Sequence, residues 1–249
     1  MQDRYVGDVG DFGKFALLRR LARGPDADLR LGVHWHLFRN ESHNGDGRHV
    51  GYLGKDPFRG LDAHVHDVLL GLVRDGRRSV AEVASSRLLP PDTLHFLDPT
   101  PDADGSSPPA GRIERRRRWG LDAQAALSPA DLVFFDPDNG IETASVPPTS
   151  LKAGKYVFWD ELSAFWKAGQ SLVVYHHLNR TASVPRQVDV LRERFAARLG
   201  TLPLLSPLIY RRGSCRVFWI VGQERHAEAL RSRSRFILGE GWNAHFEQG

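Results

Sequence analysis

Three stretches of this sequence gather acid, base or amide groups within a few residues of each other. Asp136-Pro137-Asp138-Asn139-Gly140-Ile141-Glu142 follows the apolar run Leu-Val-Phe-Phe at 132–135. Tyr175-His176-His177-Leu178-Asn179-Arg180 follows a second apolar run at 171–174, and Asp8-Val9-Gly10-Asp11-Phe12-Gly13-Lys14 opens an apolar-periodic segment near the start. Neighbouring carboxylates suit proton transfer, the holding of an amine, or a hard divalent cation. A histidine at a strand end suits a general base or a ligand. A cluster at a helix start meets backbone N–H groups and the positive end of the helix dipole, which favour an anionic group. Each cluster also has a bland reading: Asp136 and Asp138 as turn formers, Asp8 and Asp11 as caps, His176 as a satisfied sheet-edge residue. In an open parallel sheet ligands bind beyond the C-terminal strand ends, so three such clusters on one rim would make a site.

The elements that must position them follow from apolar periodicity. Phe15, Leu18 and Leu21 recur at helical spacing and predict a helix over 12–22 with Asp11 as its N-cap. Further helices are expected at 62–73, from the capping box Ser79-Val-Ala-Glu82, over 112–127, within 156–166, along Val188, Leu191, Phe195 and Leu199, and at 228–238. Strands are expected at 29–35, 93–97, 132–135 and 171–175. A hairpin over 207–210 and 216–221 turns at Arg212-Gly213-Ser214. This alternation predicts an α/β fold: a mostly parallel sheet closing on a C-terminal antiparallel hairpin, in one domain over 1–249. Residues 99–111, rich in Pro, Gly and Ser, read as a mobile loop, and no internal repeat is present.

With 249 residues, 41% of them hydrophobic, the chain can bury a core without staples. The single cysteine, Cys215, excludes an internal disulfide framework and any Cys-based metal cluster, and reads as a packing residue. The opening residues lack an apolar secretory core and the apolar runs are strand-length, so a cytosolic protein with no membrane span is expected. Basic residues outnumber acidic ones 34 to 30, a formal charge of +4, which permits a nucleic-acid partner. Arg115, Arg116, Arg117 and Arg118 are the candidate phosphate contacts, and Trp159 the candidate platform for a stacked base.

A buried strand ending in Asp136-Pro137, a second buried strand and a terminal hairpin together resemble the amino-group methyltransferases, whose motif is D/N-P-P-Y/F. The segment YVGDVGDFGKFALL is similar to HAGNHADVLKHTVL of the J-type adenine methyltransferases of large-subunit ribosomal RNA, with Gly7, Asp11 and Lys14 at identical spacing. The resemblance implies a Rossmann-like, class I methyltransferase-type sheet and S-adenosylmethionine as cofactor. It implies that Asp136 accepts from the target amine, that Pro137 presents its carbonyl, and that Asp11 and Lys14, with Gly7 and Asp8 beside them, line the methyl-donor site.

The pattern departs in two places. Asp138 and Asn139 stand where the family has its second proline and its stacking aromatic. The turn after the first strand is Trp35-His36-Leu37-Phe38-Arg39-Asn40-Glu41, without the family's glycines; Glu41, Gly45 and Gly47 are the residues that could rebuild it. A second reading takes Asp136, Asp138 and Glu142, joined by Asp8, Asp11 or Asp160 and Glu161, as a Mg²⁺ or Mn²⁺ site of a nuclease or phosphoesterase, with His176 or His177 as base or ligand. A third is a catalytically inactive module on the same fold that binds nucleic acid or protein.

Overall fold

An apolar run that feeds both faces of a sheet belongs in its interior, and Leu132–Phe135 lies there, fully buried. The computed structural model describes residues 1–249 except 26, 43, 44, 102, 104–107 and 240. In chain order the principal elements are α1 (Val9–Ala22), β1 (Leu31–His34), α2 (Asp56–Leu61), α3 (Ala63–Arg74), α4 (Val80–Ser85), β2 (Leu94–Phe96), α5 (Arg112–Ala126) and β3 (Leu132–Phe135). They continue as β4 (Gly140–Ile141), β5 (Tyr156–Val157), α6 (Trp159–Lys167), β6 (Ser171–His177), α7 (Val184–Leu199), β7 (Leu204–Arg212), β8 (Ser214–Gly222), α8 (Glu224–Phe236) and β9 (Phe246–Gln248).

The main sheet has the order β2-β1-β3-β6-β8-β7-β9. Its first four strands are parallel, and β8 runs antiparallel to both β6 and β7. Side chains alternate between two cores. Leu132 and Phe134 join Phe15 of α1, Leu69 of α3 and Leu230 of α8, whereas Val133 and Phe135 join Trp119 of α5, Phe165 of α6 and Phe195 of α7. Helices therefore cover both faces. This is the Rossmann-like α/β arrangement expected from the sequence, mostly parallel with an antiparallel C-terminal hairpin. Among the described residues no helix is long and apolar enough to cross a membrane.

Three local differences matter for the site. First, α1 starts at Val9, and its cap is Asp8 rather than Asp11. Asp8 wins because its carboxylate is used twice, by the N–H of Gly10 at 3.0 Å and that of His49 at 3.1 Å. Second, β6 runs on through His177, because β8 continues to pair with it as far as Arg216. Third, β4 and β5 form a small parallel pair of their own, too short to show a period in sequence. Of the expected loop at 99–111, residues 102 and 104–107 lie outside the described residues; Thr100 is held through its N–H and hydroxyl to the Leu37 carbonyl.

Candidate functional site

The start of α1, the turn after β3, the end of β6 and the β7–β8 hairpin enclose a cleft of about 360 Å³. α1 contributes Asp8, Gly10, Asp11 and Lys14; the turn contributes Asp136, Pro137, Asp138 and Asn139. Tyr175 and His177 come from β6, Gly213, Ser214 and Arg216 from the hairpin, and Met1, Tyr5, Asp46, Gly47 and His49 complete the wall. The cleft lies beyond the C-terminal ends of parallel strands, where open α/β sheets bind ligands.

At its floor one ammonium bridges two carboxylates. Lys14 Nζ is 2.6 Å from Asp11 Oδ1 and 2.8 Å from Asp136 Oδ2, and each of the three residues is 5% exposed or less. Burial works against the Lys14 charge, but Asp11 and Asp136 overcome it and hold its pKa above the ordinary lysine value. Lys14 is therefore a fixed cation, not a base. Burial pushes the Asp11 carboxyl up to about 6, against the pull of Lys14 and with the help of the Asp136 charge. The other Asp11 oxygen accepts from the Gly7 N–H at 3.2 Å. Oδ1 of Asp136 has no donor among the described residues, so the carboxylate keeps one acceptor for a ligand.

Asp138 has a different task. Its Oδ2 accepts from Gln2 Nε2 at 2.6 Å and its Oδ1 lies 2.8 Å from the α-amino group of Met1. That amine also donates to the carbonyls of His36 and Asp136, at 2.9 and 2.8 Å. Asp138 thus braces the first residues of the chain against the turn.

Several sequence expectations need correction. Glu142 does not join Asp136 and Asp138: its carboxylate accepts from the Trp159 N–H at the start of α6. Among the described residues no group of three His, Cys, Asp or Glu is arranged to hold a metal ion. His176 does not line the cleft. Its Nδ1 accepts from the Ile141 N–H at 3.0 Å, and it packs against Gly140, whose φ of 108° and lack of Cβ allow the approach; a Cβ there would sit 2.4 Å from Nδ1. Burial lowers its pKa to about 4. Glu41 is taken up by Lys155 and by Gln2, away from the cleft.

Three of the four arginines of the basic run have partners within the chain. Arg116 forms a two-pronged pair with Glu161 of α6, at 2.6 and 2.9 Å, and donates to the Ala153 and Tyr156 carbonyls. Arg117 pairs with Glu114, Arg115 donates to the Pro108 and Ala110 carbonyls, and Arg118 is exposed. Trp159 offers no stacking platform, being 4% exposed and packed edge-on against Phe195.

Of the cleft residues, the sequence clusters include Tyr175 and His177 but not His49, Ser214 or Arg216. A signal for the first two was there: side chains alternate along a strand, so if His176 faces one way, Tyr175 and His177 face the other. Antiparallel pairing then sets Arg216 opposite His177 and Tyr210 opposite Arg216, three polar groups in one row. Burial and the Arg216 charge both lower the His177 pKa, and burial raises that of Tyr175.

The chain matches no family model, no curated protein and no solved structure. Its chemistry has to be argued from the cleft. Five aspartates line it, at positions 8, 11, 46, 136 and 138, against the cations of Lys14, Arg216 and the Met1 amine. A surplus of carboxylates beside one arginine suits a ligand that carries both a cationic centre and a carboxylate. S-adenosylmethionine, a sulfonium with an amino-acid end, has that charge pattern, so the donor set fits the group. The turn after β1, by contrast, is filled by the protein itself: Trp35 and His36 are fully buried and Phe38 nearly so.

Proposed function

We propose that this cleft is the active site of an S-adenosylmethionine-dependent methyltransferase acting on an amino group, with the exocyclic amine of a nucleic-acid base as the acceptor class. The observation that carries the reading is the contact between Lys14 and Asp136. The two segments of the methyltransferase resemblance lie 122 residues apart in sequence, and their key side chains meet at 2.8 Å. The nucleic-acid acceptor rests on the resemblance, and the single cysteine suits the reducing cytosol.

The bound cofactor would supply an electrophilic methyl carbon, and the residues around the floor would hold it. Asp136 would receive the acceptor amine through Oδ1 while Lys14 fixes Oδ2, so that the nitrogen lone pair is oriented without rotation of the carboxylate. The carbonyl of Pro137 would take a second amine hydrogen. Asp11 holds Lys14 in place, and because its pKa lies near 6 the floor carries its full negative charge only above that pH.

Calorimetric titration with S-adenosylmethionine and its demethylated product tests the reading: saturable binding is expected, and no heat at millimolar ligand with folded protein would remove it. Asp136→Ala should lower methyl transfer to adenine-containing oligonucleotides by roughly a hundredfold or more while leaving cofactor affinity nearly unchanged. The same titration with Mg²⁺ and Mn²⁺ tests the hydrolase alternative.

A further inference from the structure

Arg216 is a cation without a counter-charge. Its residue is 8% exposed, and no carboxylate lies within 4.0 Å of its guanidinium among the described residues. Among the described residues one hydrogen bond holds it, from Nη2 to the Ser214 hydroxyl, and its buried Nε finds no acceptor. A guanidinium has five N–H donors and never loses its proton. Leaving the buried Nε–H unmet is costly.

The surroundings sharpen the problem. The guanidinium lies against the first turn of α1, so close to Gly10 that a Cβ there would come within 1.5 Å of Nη1. This is the positive end of the helix dipole, which repels a cation. The helix supplies field but no free donors: the Val9 N–H is taken by the His49 carbonyl, that of Gly10 by the Asp8 carboxylate, and that of Asp11 by the Asp8 carbonyl. Tyr210 fixes the geometry, its ring centroid 5.8 Å from the guanidinium carbon and its hydroxyl donating to the Val9 carbonyl at 2.8 Å. A buried cation held at a helix N-terminus and facing a cleft calls for an anion from outside the chain.

We propose that Arg216 is the carboxylate-binding residue of this cleft, and that the group it takes belongs to a ligand that also carries a cation, as an α-amino-acid moiety does. A planar guanidinium matches a carboxylate two-pronged. The acidic residues decide against a phosphate. Even with Asp46 set aside, four aspartates share the cleft with three cations, the Met1 amine included, so a dianion would meet net repulsion while a zwitterion would not. The inference deepens the reading of the cleft as a methyl-donor site and rests on it for the choice of nucleoside probe, but it does not require methyl transfer.

The experiment compares ligands that differ only at the carboxylate-bearing end. Wild type should bind S-adenosylhomocysteine about tenfold or more tighter than 5′-methylthioadenosine, which lacks the amino-acid group. Arg216→Gln should close that gap without changing the affinity for 5′-methylthioadenosine, and Arg216→Lys should restore part of it. Gly10→Ala, which drives the guanidinium from its seat but keeps its charge, should mimic Arg216→Gln. Equal weakening of both nucleosides by Arg216→Gln would make Arg216 a structural residue and overturn the inference. Should neither nucleoside bind, the methyl-donor reading fails, and melting in L-methionine against L-methioninamide decides the subsite: stabilisation by the acid alone, lost in Arg216→Gln, supports it, and no difference overturns it. Stabilisation by inorganic phosphate that exceeds that by the amino acid, and that depends on Arg216, would also overturn it.

Discussion

Burial, and behind it the neighbouring Asp136 charge, outweighs the pull of the shared Lys14 ammonium on the Asp11 carboxyl. Its folded pKa, about 6, lies above the ordinary 3.8. Between those values the folded protein keeps a proton that the unfolded chain has released, so this group makes stability fall as pH rises through the window, and above pH 6 the cost is fully present. Asp11→Asn removes that titration. The stability of the variant relative to wild type should therefore shift in its favour between pH 4 and pH 7, by up to about 3 kcal/mol for a shift of two pH units. Urea unfolding at both pH values checks it, and an unchanged difference would mean that Asp11 titrates normally. Asp138 has a bracing role instead, with Oδ1 beside the Met1 amine and Oδ2 accepting from Gln2. Asp138→Ala would remove the carboxylate beside the Met1 amine and one acceptor from Gln2, and should cost about 3 kcal/mol, by the same amount with and without added Mg²⁺.

Elements show where sequence reading succeeds and where it stops. The apolar period of α1 was legible, but its start was not, because Asp8-Val-Gly-Asp11 offers two capping carboxylates and the choice depends on His49, far along the chain. The strand was legible as buried over 171–175, yet it runs on to His177, and the polar residue that reaches the cleft is His177 rather than His176, since a one-residue difference in register changes face. In α5 composition shows the charge of the consecutive arginines 115–118 but not their partners. Arg116 docks α5 onto α6 through Glu161, 45 residues away. Two substitutions in one run should therefore differ sharply: Arg116→Ala, which strands a largely buried Glu161, should cost about 3 kcal/mol, and Arg118→Ala, on the exposed face, no more than about 0.5 kcal/mol. Chemical denaturation of the two variants checks this, and equal effects would mean that the run acts only as a charged surface.

At the scale of the whole molecule, the parallel sheet was readable because its interior strand β3 is apolar on both faces, while the filling of its rim was not. The turn after β1 lacks glycine, and what occupies the space is histidine packed as an aromatic ring. His34 and His36 stack at 4.2 Å, with Trp119 edge-on to both, and His36 has a left-handed φ of 45°. Nδ1 of His34 and both ring nitrogens of His36 are buried without a hydrogen-bond partner among the described residues. Burial, with the nearby Arg116 charge, lowers the His34 pKa to about 3 and holds that of His36 well below 6.5. The unfolded chain takes up protons at these sites as pH falls through 6.5, whereas the folded protein does not, so stability must drop with falling pH until the folded pKa is reached. Each such histidine contributes a slope of up to about 1.4 kcal/mol per pH unit below 6.5, and His176, with a pKa of about 4, adds a third. Against a total stability of order 10 kcal/mol, three together should unfold the protein in mild acid. The melting temperature should fall steeply between pH 6 and pH 4, partly offset by Asp11, which pulls the other way in that range. His34→Phe keeps a ring among Phe96, Trp119 and Phe135 but cannot take a proton, so its melting temperature should depend less on pH than that of wild type; equal dependence would mean that His34 is charged or solvated in the folded state.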